Sequence, residues 1–215
     1  LEFRRVLFRS KEKDVVASKF KDEFTIMKGV SHENVAEIYD FGFDKDFDRY
    51  FFTQELITGG DLRDYKLATV ETVEEYLSQM LEALDYLWHR NILHLDIKPQ
   101  NILIRKTAKP KPVLIDFGLA TFRPPDHPGG TPSYMSPEII AKRLNLNGYF
   151  PPDHKSDIYS LGVTFYLCLT GINPFRKLDL AGKLDVNATM QNHLSMNINP
   201  PSYFRPDIPE YLDKV

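Results

Sequence analysis

The sequence predicts an α+β fold in two unequal parts, and three observations carry that reading. Up to residue 57, apolar residues recur first at helical and then at strand-like spacing. A Gly59-Gly60 pair then breaks the pattern. Beyond it the spacing is mainly helical. Taking the elements in order, Phe20, Phe24, Met27 and Val30 fall on one face of a helix over Ser18–Val30. Val35–Phe41 and Tyr50–Ile57 read as strands joined by an acidic turn around Asp44–Arg49. After the glycines, Val73, Tyr76, Leu77, Met80, Leu81, Leu84, Leu87 and Trp88 form a one-sided helical stripe. Ile102–Ile104 and Val113–Ile115 read as short buried strands around a Lys- and Pro-rich turn, Arg105–Pro112, which is expected to be solvated. Asp157–Thr170 is apolar almost all round, the pattern of a helix buried on every side, with Cys168 as a core residue.

Composition narrows the function classes. With 215 residues, 42% hydrophobic and 27% charged, the chain is neither disordered nor fibrous. Its longest nearly apolar run, Ile158–Leu169, is too short to span a bilayer and is interrupted by Ser160, Gly162 and Thr164. One cysteine allows no internal disulfide, which fits a reducing compartment and a cytoplasmic location. Lys+Arg 27 against Asp+Glu 30 leaves −3, so no basic field points to nucleic acid. The six histidines lack metal-ligand spacing.

The opening segment Leu1–Ser10, LEFRRVLFRS, stands apart. The codons ctg gag ttc aga cgt gtg ctc ttc cga tct encode all ten residues and resemble a common sequencing-library adapter. The segment is therefore read as non-native and left out of the fold, and the authentic chain as starting at Lys11. Without it, 24 basic and 29 acidic residues give −5.

The chemistry concentrates in His94-Leu95-Asp96-Ile97-Lys98-Pro99-Gln100-Asn101, followed by strand, turn, strand and Asp116-Phe117-Gly118. A carboxylate, an ammonium and a carboxamide at positions n, n+2 and n+5 suit phosphoryl transfer. Asp96 can orient a hydroxyl and accept its proton, and Lys98 can neutralise the moving phosphoryl group. Asn101 can hold Mg²⁺, and Asp116, returned by the Ile102–Ile115 hairpin, offers a second metal-binding carboxylate. Any one of these residues could merely cap a polar turn; all of them together make that reading remote.

The arrangement resembles the catalytic domain of eukaryotic-type (Hanks-type) serine/threonine protein kinases over essentially all of Lys11–Val215. Gly130–Glu138 is similar to the loop before A-P-E, with Ser136 in place of Ala. Asp157–Gly162 is similar to the start of the buried central helix, and Thr170–Phe175 to its exit. The resemblance implies a two-lobe protein-kinase-like fold, with a partial N-lobe and hinge over 11–58 and a mostly helical C-lobe over 59–215. It implies ATP and Mg²⁺ as cofactors and a protein substrate with a Ser/Thr acceptor. Asp96, Lys98 and Thr131 become catalytic, and Asn101 and Asp116 metal ligands. Glu23 matches the glutamate of the first helix, Gln54 the gatekeeper, and Glu55 and Ile57 the hinge whose backbone reads adenine. Asp61 matches a ribose-bonding position, although a helix N-cap explains it equally well. Gln100 joins the nucleotide-binding set, and Leu103 floors the adenine pocket. Met27, Ile38, His94 and Phe117 match a spine linking the lobes, and Asp157 an anchor for the His94–Asp96 turn.

Departures from the family pattern are equally legible. No G-x-G-x-x-G precedes Glu23, and the lysine that would pair with it falls near residue 4. Glu138 has no candidate arginine partner, and Leu95 replaces the arginine of H-R-D. The chain thus reads as truncated at both ends and inactive by itself. Two rivals are a binding scaffold without turnover and a small-molecule phosphotransferase, which would not be expected to carry the Thr131–Glu138 segment.

Overall fold

A computed structural model describes residues 3–7, 24–47, 49–64, 69–122 and 129–214. A three-stranded antiparallel sheet in the order β1-β3-β2 comprises β1 (Phe3–Leu7), β2 (Ile38–Asp44) and β3 (Arg49–Glu55). The β1 register runs from Phe3 opposite Glu55 to Leu7 opposite Phe51. This strand lies inside Leu1–Ser10, so the sheet includes a strand from the segment that the sequence leads one to leave out of the fold. Ladder hydrogen bonds come from the backbone, and an unpaired edge of β3 accepts any extended segment that alternates acceptably. On the other side β2 runs from Ile38 opposite Gln54 to Asp44 opposite Arg49, with one slip between Ile38 and Asp40.

The helical turn over 24–27, α1, stops short of the Val30 expected from periodicity. Gly29 at φ +87° turns the chain there, a conformation glycine adopts without a Cβ penalty. The expected Val35–Phe41 strand divides. Val35 and Ala36 pair with Leu114 of the second sheet, while 38–44 join β3. Asp44 closes the strand because its carboxylate accepts from the Asp46 and Phe47 amides in the following turn.

Past the glycine pair, α2 (Val70–Trp88) starts at Thr69, whose hydroxyl accepts from the Thr72 amide. A 3₁₀ turn (Pro99–Asn101) leads into the hairpin of β4 (Ile102–Arg105) and β5 (Lys111–Leu114). Then come α3 (Pro137–Arg143), α4 (His154–Thr170), α5 (Val186–Ser195), α6 (Pro201–Phe204) and a 3₁₀ turn over Glu210–Lys214. An Asp153/Ser156 capping box opens α4, and Gly171 at φ +75° closes it.

The main core joins Val73, Met80 and Leu87 of α2 to Leu161, Phe165 and Leu169 of α4 and to Ile102, Ile104 and Leu114 of the hairpin. Each such burial contributes about 1.5–3 kcal/mol. The α2 stripe is narrower than read, since Leu81 and Trp88 are about two-fifths exposed. Likewise α4 is not covered on every side. Ile158 is 44% exposed, and with Gly162, Phe165 and Leu169 it lines a cavity of about 500 Å³. All-round apolarity says that a helix tolerates burial, not which elements provide it. Cys168 does pack against the core, and burial pushes its thiol up to about 12. No helix among the described residues is long and apolar enough to cross a membrane.

Candidate active site

The segment between α2 and the hairpin is shaped by one buried carboxylate. Asp157, in the first turn of α4, accepts from the His94 and Leu95 amides, both at 2.8 Å. Those bonds hold Leu95 at φ +63°, a conformation unfavourable for a branched side chain. Burial raises the Asp157 carboxyl above its ordinary range, and the two amides partly offset this. His94 is fully buried and works structurally. Its Nδ1 accepts from the Asp96 amide at 3.3 Å, and its Nε2 faces the Ile115 carbonyl at 3.1 Å. That pairing requires the neutral tautomer with the proton on Nε2.

The reversal delivers Asp96 into a closed ring of hydrogen bonds. The Thr131 hydroxyl donates to Asp96 Oδ1 at 2.8 Å and accepts from Lys98 Nζ at 3.0 Å. Lys98 also donates to Asp96 Oδ2, and the Thr131 amide to Oδ1 at 3.0 Å. Asn101 Nδ2 donates to the Asp96 carbonyl at 2.9 Å and to Oδ2 at 3.2 Å. With side chains only 12% and 21% exposed, Asp96 and Lys98 form a strong, fixed pair. The ring displays what the pair can hold: an alcohol with its proton toward the carboxylate and its lone pair toward the ammonium.

Metal-binding capacity lies on the other side of Asn101. Its amide nitrogen is committed to Asp96, which leaves Oδ1 for a cation. The Ile115 amide donates to the Asn101 carbonyl at 2.9 Å, which brings the next residue, exposed Asp116, alongside. Asp116 is held at φ +64°. No cluster of three or more His, Cys, Asp or Glu suited to a metal occurs among the described residues. A magnesium ion that keeps its waters and shares substrate phosphates needs only one or two protein oxygens, so this hard-donor pair fits.

Residues 5–214 match the family model described as the protein kinase domain. The chain belongs to that family. Serine/threonine-protein kinase ULK3 of Homo sapiens is 35% identical over 161 residues, 71% of this chain and 32% of the relative. Aurora kinase of Yarrowia lipolytica is 32% identical over 207 residues, 93% of this chain and 52% of the relative. Serine/threonine-protein kinase cds1 of Schizosaccharomyces pombe is 36% identical over 184 residues, 80% and 38% respectively. The chain spans about a third to a half of the length of the curated relatives it matches.

The remaining kinase positions assemble to differing degrees. Met27 and Phe117 are buried in the main core with Ile38 packed against it, and Phe117 meets His94 edge-on at 4.7 Å. Ile57, Ala36, Val113 and Ile115 make a separate apolar cluster with Leu103, under the hinge. Gln54 is buried at the end of β3. Neither backbone group of Ile57 has a hydrogen-bond partner among the described residues. Asp61 is taken up locally. Both its oxygens receive the Arg63 guanidinium and one also the Arg63 amide, and the side-chain bond lowers its carboxyl. Asp61 thus caps a turn, whereas the N-cap of α2 is Thr69. Gln100 buries its Oε1, which has no hydrogen-bond partner among the described residues. Glu23 lies outside the described residues. Glu138 accepts from the Ser156 hydroxyl.

Two contributors were not marked by the sequence reading. Arg105, assigned to a solvated turn, grips the Glu55 carboxylate through Nε at 2.8 Å and Nη2 at 2.7 Å. The alternation Ile102-Leu103-Ile104-Arg105 was the available signal, since it sets Arg105 on the same face as Leu103. Buried Asn34 bonds Gln79 and the Pro112 carbonyl, bracing the hairpin against α2.

Proposed function

We propose that the protein transfers the γ-phosphoryl group of ATP, with Mg²⁺, to serine or threonine hydroxyls of a protein substrate. The observation that carries this is the Asp96–Thr131–Lys98 ring, which already holds a hydroxyl in the orientation an acceptor needs. Asp96 orients the acceptor and takes its proton, and Lys98 offsets the charge of the moving phosphoryl group. Asn101 Oδ1 and Asp116 would hold Mg²⁺, which supplies neutralisation of phosphate charge when bound. Positioning and charge neutralisation account for most of the rate. The Ile57 backbone reads adenine, with Leu103 beneath it, and Gln54 bounds the pocket. The names of the relatives given above, all kinases and two of them printed as serine/threonine-protein kinases, support the substrate class. A cytoplasmic location and the absence of a nucleic-acid partner belong to the same reading, supported by the single cysteine and the net charge of −3.

The test is a comparison of two variants in the full-length protein carrying this domain. Asp96→Asn is expected to abolish turnover and leave nucleotide affinity nearly unchanged. Asp116→Asn is expected to weaken Mg²⁺-ATP binding, because it removes a formal charge beside the metal. Equal loss of nucleotide affinity in both would show that the division of roles is wrong.

A further inference from the structure

We propose that Arg105 is a positioning residue for the nucleotide: it pins the hinge to β4, so nucleotide affinity depends on it while the chemical step does not. The inference rests on the nucleotide-binding reading above. Glu55 ends β3, and its amide donates to the Glu37 carbonyl at 2.8 Å. Two residues later come the backbone groups of Ile57, which have no partner among the described residues. The strand pattern places Leu103 and Arg105 on one face of β4, Leu103 under the nucleobase position and Arg105 farther along. From there the guanidinium spends three donors on the other part of the molecule. Two go to the Glu55 carboxylate, and Nη1 reaches the Glu33 carbonyl at 2.6 Å. Both side chains of the pair are less than a quarter exposed, so solvent screens the bond only partly.

The far end of the hinge is fastened to the same strand by backbone. The Ile104 amide donates to the Gly60 carbonyl at 3.0 Å and the Leu62 amide to the Ile102 carbonyl at 3.1 Å. Gly59 passes so close that a Cβ there would lie 1.7 Å from the Ile104 carbonyl oxygen. β4 therefore carries the hinge as a rail, fixed by main chain at one end and by a single side chain at the other. The Arg105 end is held by side chains, so a substitution can release it without displacing the main chain at Gly59 and Gly60. Releasing it leaves the Glu55–Ile57 backbone free to move relative to Leu103, and a nucleobase must then order it on binding. Asp96 and Lys98 are held through Asp157 and Thr131 instead, and Asn101 by its bonds to Asp96 and from the Ile115 amide, so none of the three bonds to Arg105 or Glu55.

The test uses the full-length protein with Arg105→Gln, Arg105→Lys, Glu55→Gln and the Arg105→Gln/Glu55→Gln double variant. Affinity for a fluorescent ADP analogue with Mg²⁺, peptide-kinase kinetics and amide hydrogen exchange over residues 55–60 are measured. Arg105→Gln is expected to weaken nucleotide binding and raise the KM for ATP about fivefold or more, with kcat within twofold. Amides 55–60 exchange faster even without nucleotide. Arg105→Lys falls between, since an ammonium lacks the fork that spans both oxygens. The double variant binds no worse than the weaker single variant. Unchanged exchange over 55–60, or fully additive losses in the double variant, would overturn the proposal. Faster exchange in a protein that binds no nucleotide would uphold the pin and overturn the nucleotide reading instead.

Discussion

Replacing Asp157 by alanine removes the acceptor shared by the His94 and Leu95 amides, and the consequence can be worked out from the structure. Both amides are buried and both bonds are 2.8 Å long. A buried donor left unpaired costs about 1–3 kcal/mol, so the pair costs about 2–6 kcal/mol. Against this, relaxation relieves the strain of Leu95 at φ +63°, about 1–3 kcal/mol, and the carboxylate's own desolvation cost disappears. The net expectation is a destabilisation of about 2 kcal/mol. Asp157→Asn keeps one acceptor oxygen and presents an NH₂ to the second amide, so it should lose about half as much. Urea denaturation of the full-length protein measures the first quantity. Relaxation of the Leu95 turn also displaces Asp96, and an ångström of misplacement can cost about a hundredfold in rate. Turnover should therefore fall by at least that factor in Asp157→Ala, including at temperatures where the variant is fully folded. A wild-type urea midpoint together with a wild-type kcat would refute the idea that this carboxylate builds the catalytic loop.

Two further expectations follow from buried groups. Burial lowers the His193 imidazole from 6.5 to about 4 while Tyr159 bonds its Nδ1 at 2.7 Å. The unfolded chain therefore takes up the proton first. The contribution is complete above pH 6.5 and is lost as pH falls toward 4, by at most about 3 kcal/mol. Urea midpoints from pH 7 to 4.5 should fall more steeply in wild type than in His193→Gln, and equal slopes would sink the argument. The second concerns Leu95, which is buried against Met135, Ile139 and Ile140 where the family pattern has an arginine. Thr121 is fastened by its backbone to Leu93, with both bonds at 2.9 Å. Phosphatase-treated protein and Thr121→Ala should therefore keep their rate. A hundredfold loss, roughly 2.7 kcal/mol of barrier, would show that a phosphate orders this loop.

The site was more legible than the fold around it, for a physical reason. Phosphoryl transfer requires particular functional groups at particular separations, so Asp96, Lys98 and Asn101 declare themselves by type and spacing. The structure brings them together with Thr131 and anchors them by Asp157, as their order along the chain implies. Element boundaries carry less information. Val35 and Ala36 are apolar whether they pair with β3 or, as they do, with Leu114. Arg105 was hidden because the turn after it is rich in Lys and Pro, and composition averages over the one residue that still belongs to the strand. Asp61 was ambiguous because a ribose acceptor and a helix N-cap need the same side chain; in the structure its carboxylate accepts from Arg63, two residues on. The exposed stripe of α4 at Ile158 depends on which elements pack over it, which local sequence does not encode.

Phosphoryl transfer itself is tested most directly by incubating the full-length protein with Mg²⁺, γ-labelled ATP and a mixed Ser/Thr/Tyr peptide library, followed by phosphoamino-acid analysis. Label on serine and threonine, absent from tyrosine and lost in Asp96→Asn, is the predicted result. A full-length protein that binds Mg²⁺-ATP yet labels no peptide, or one whose labelling survives Asp96→Asn, would contradict the role assigned to the Asp96–Thr131–Lys98 ring.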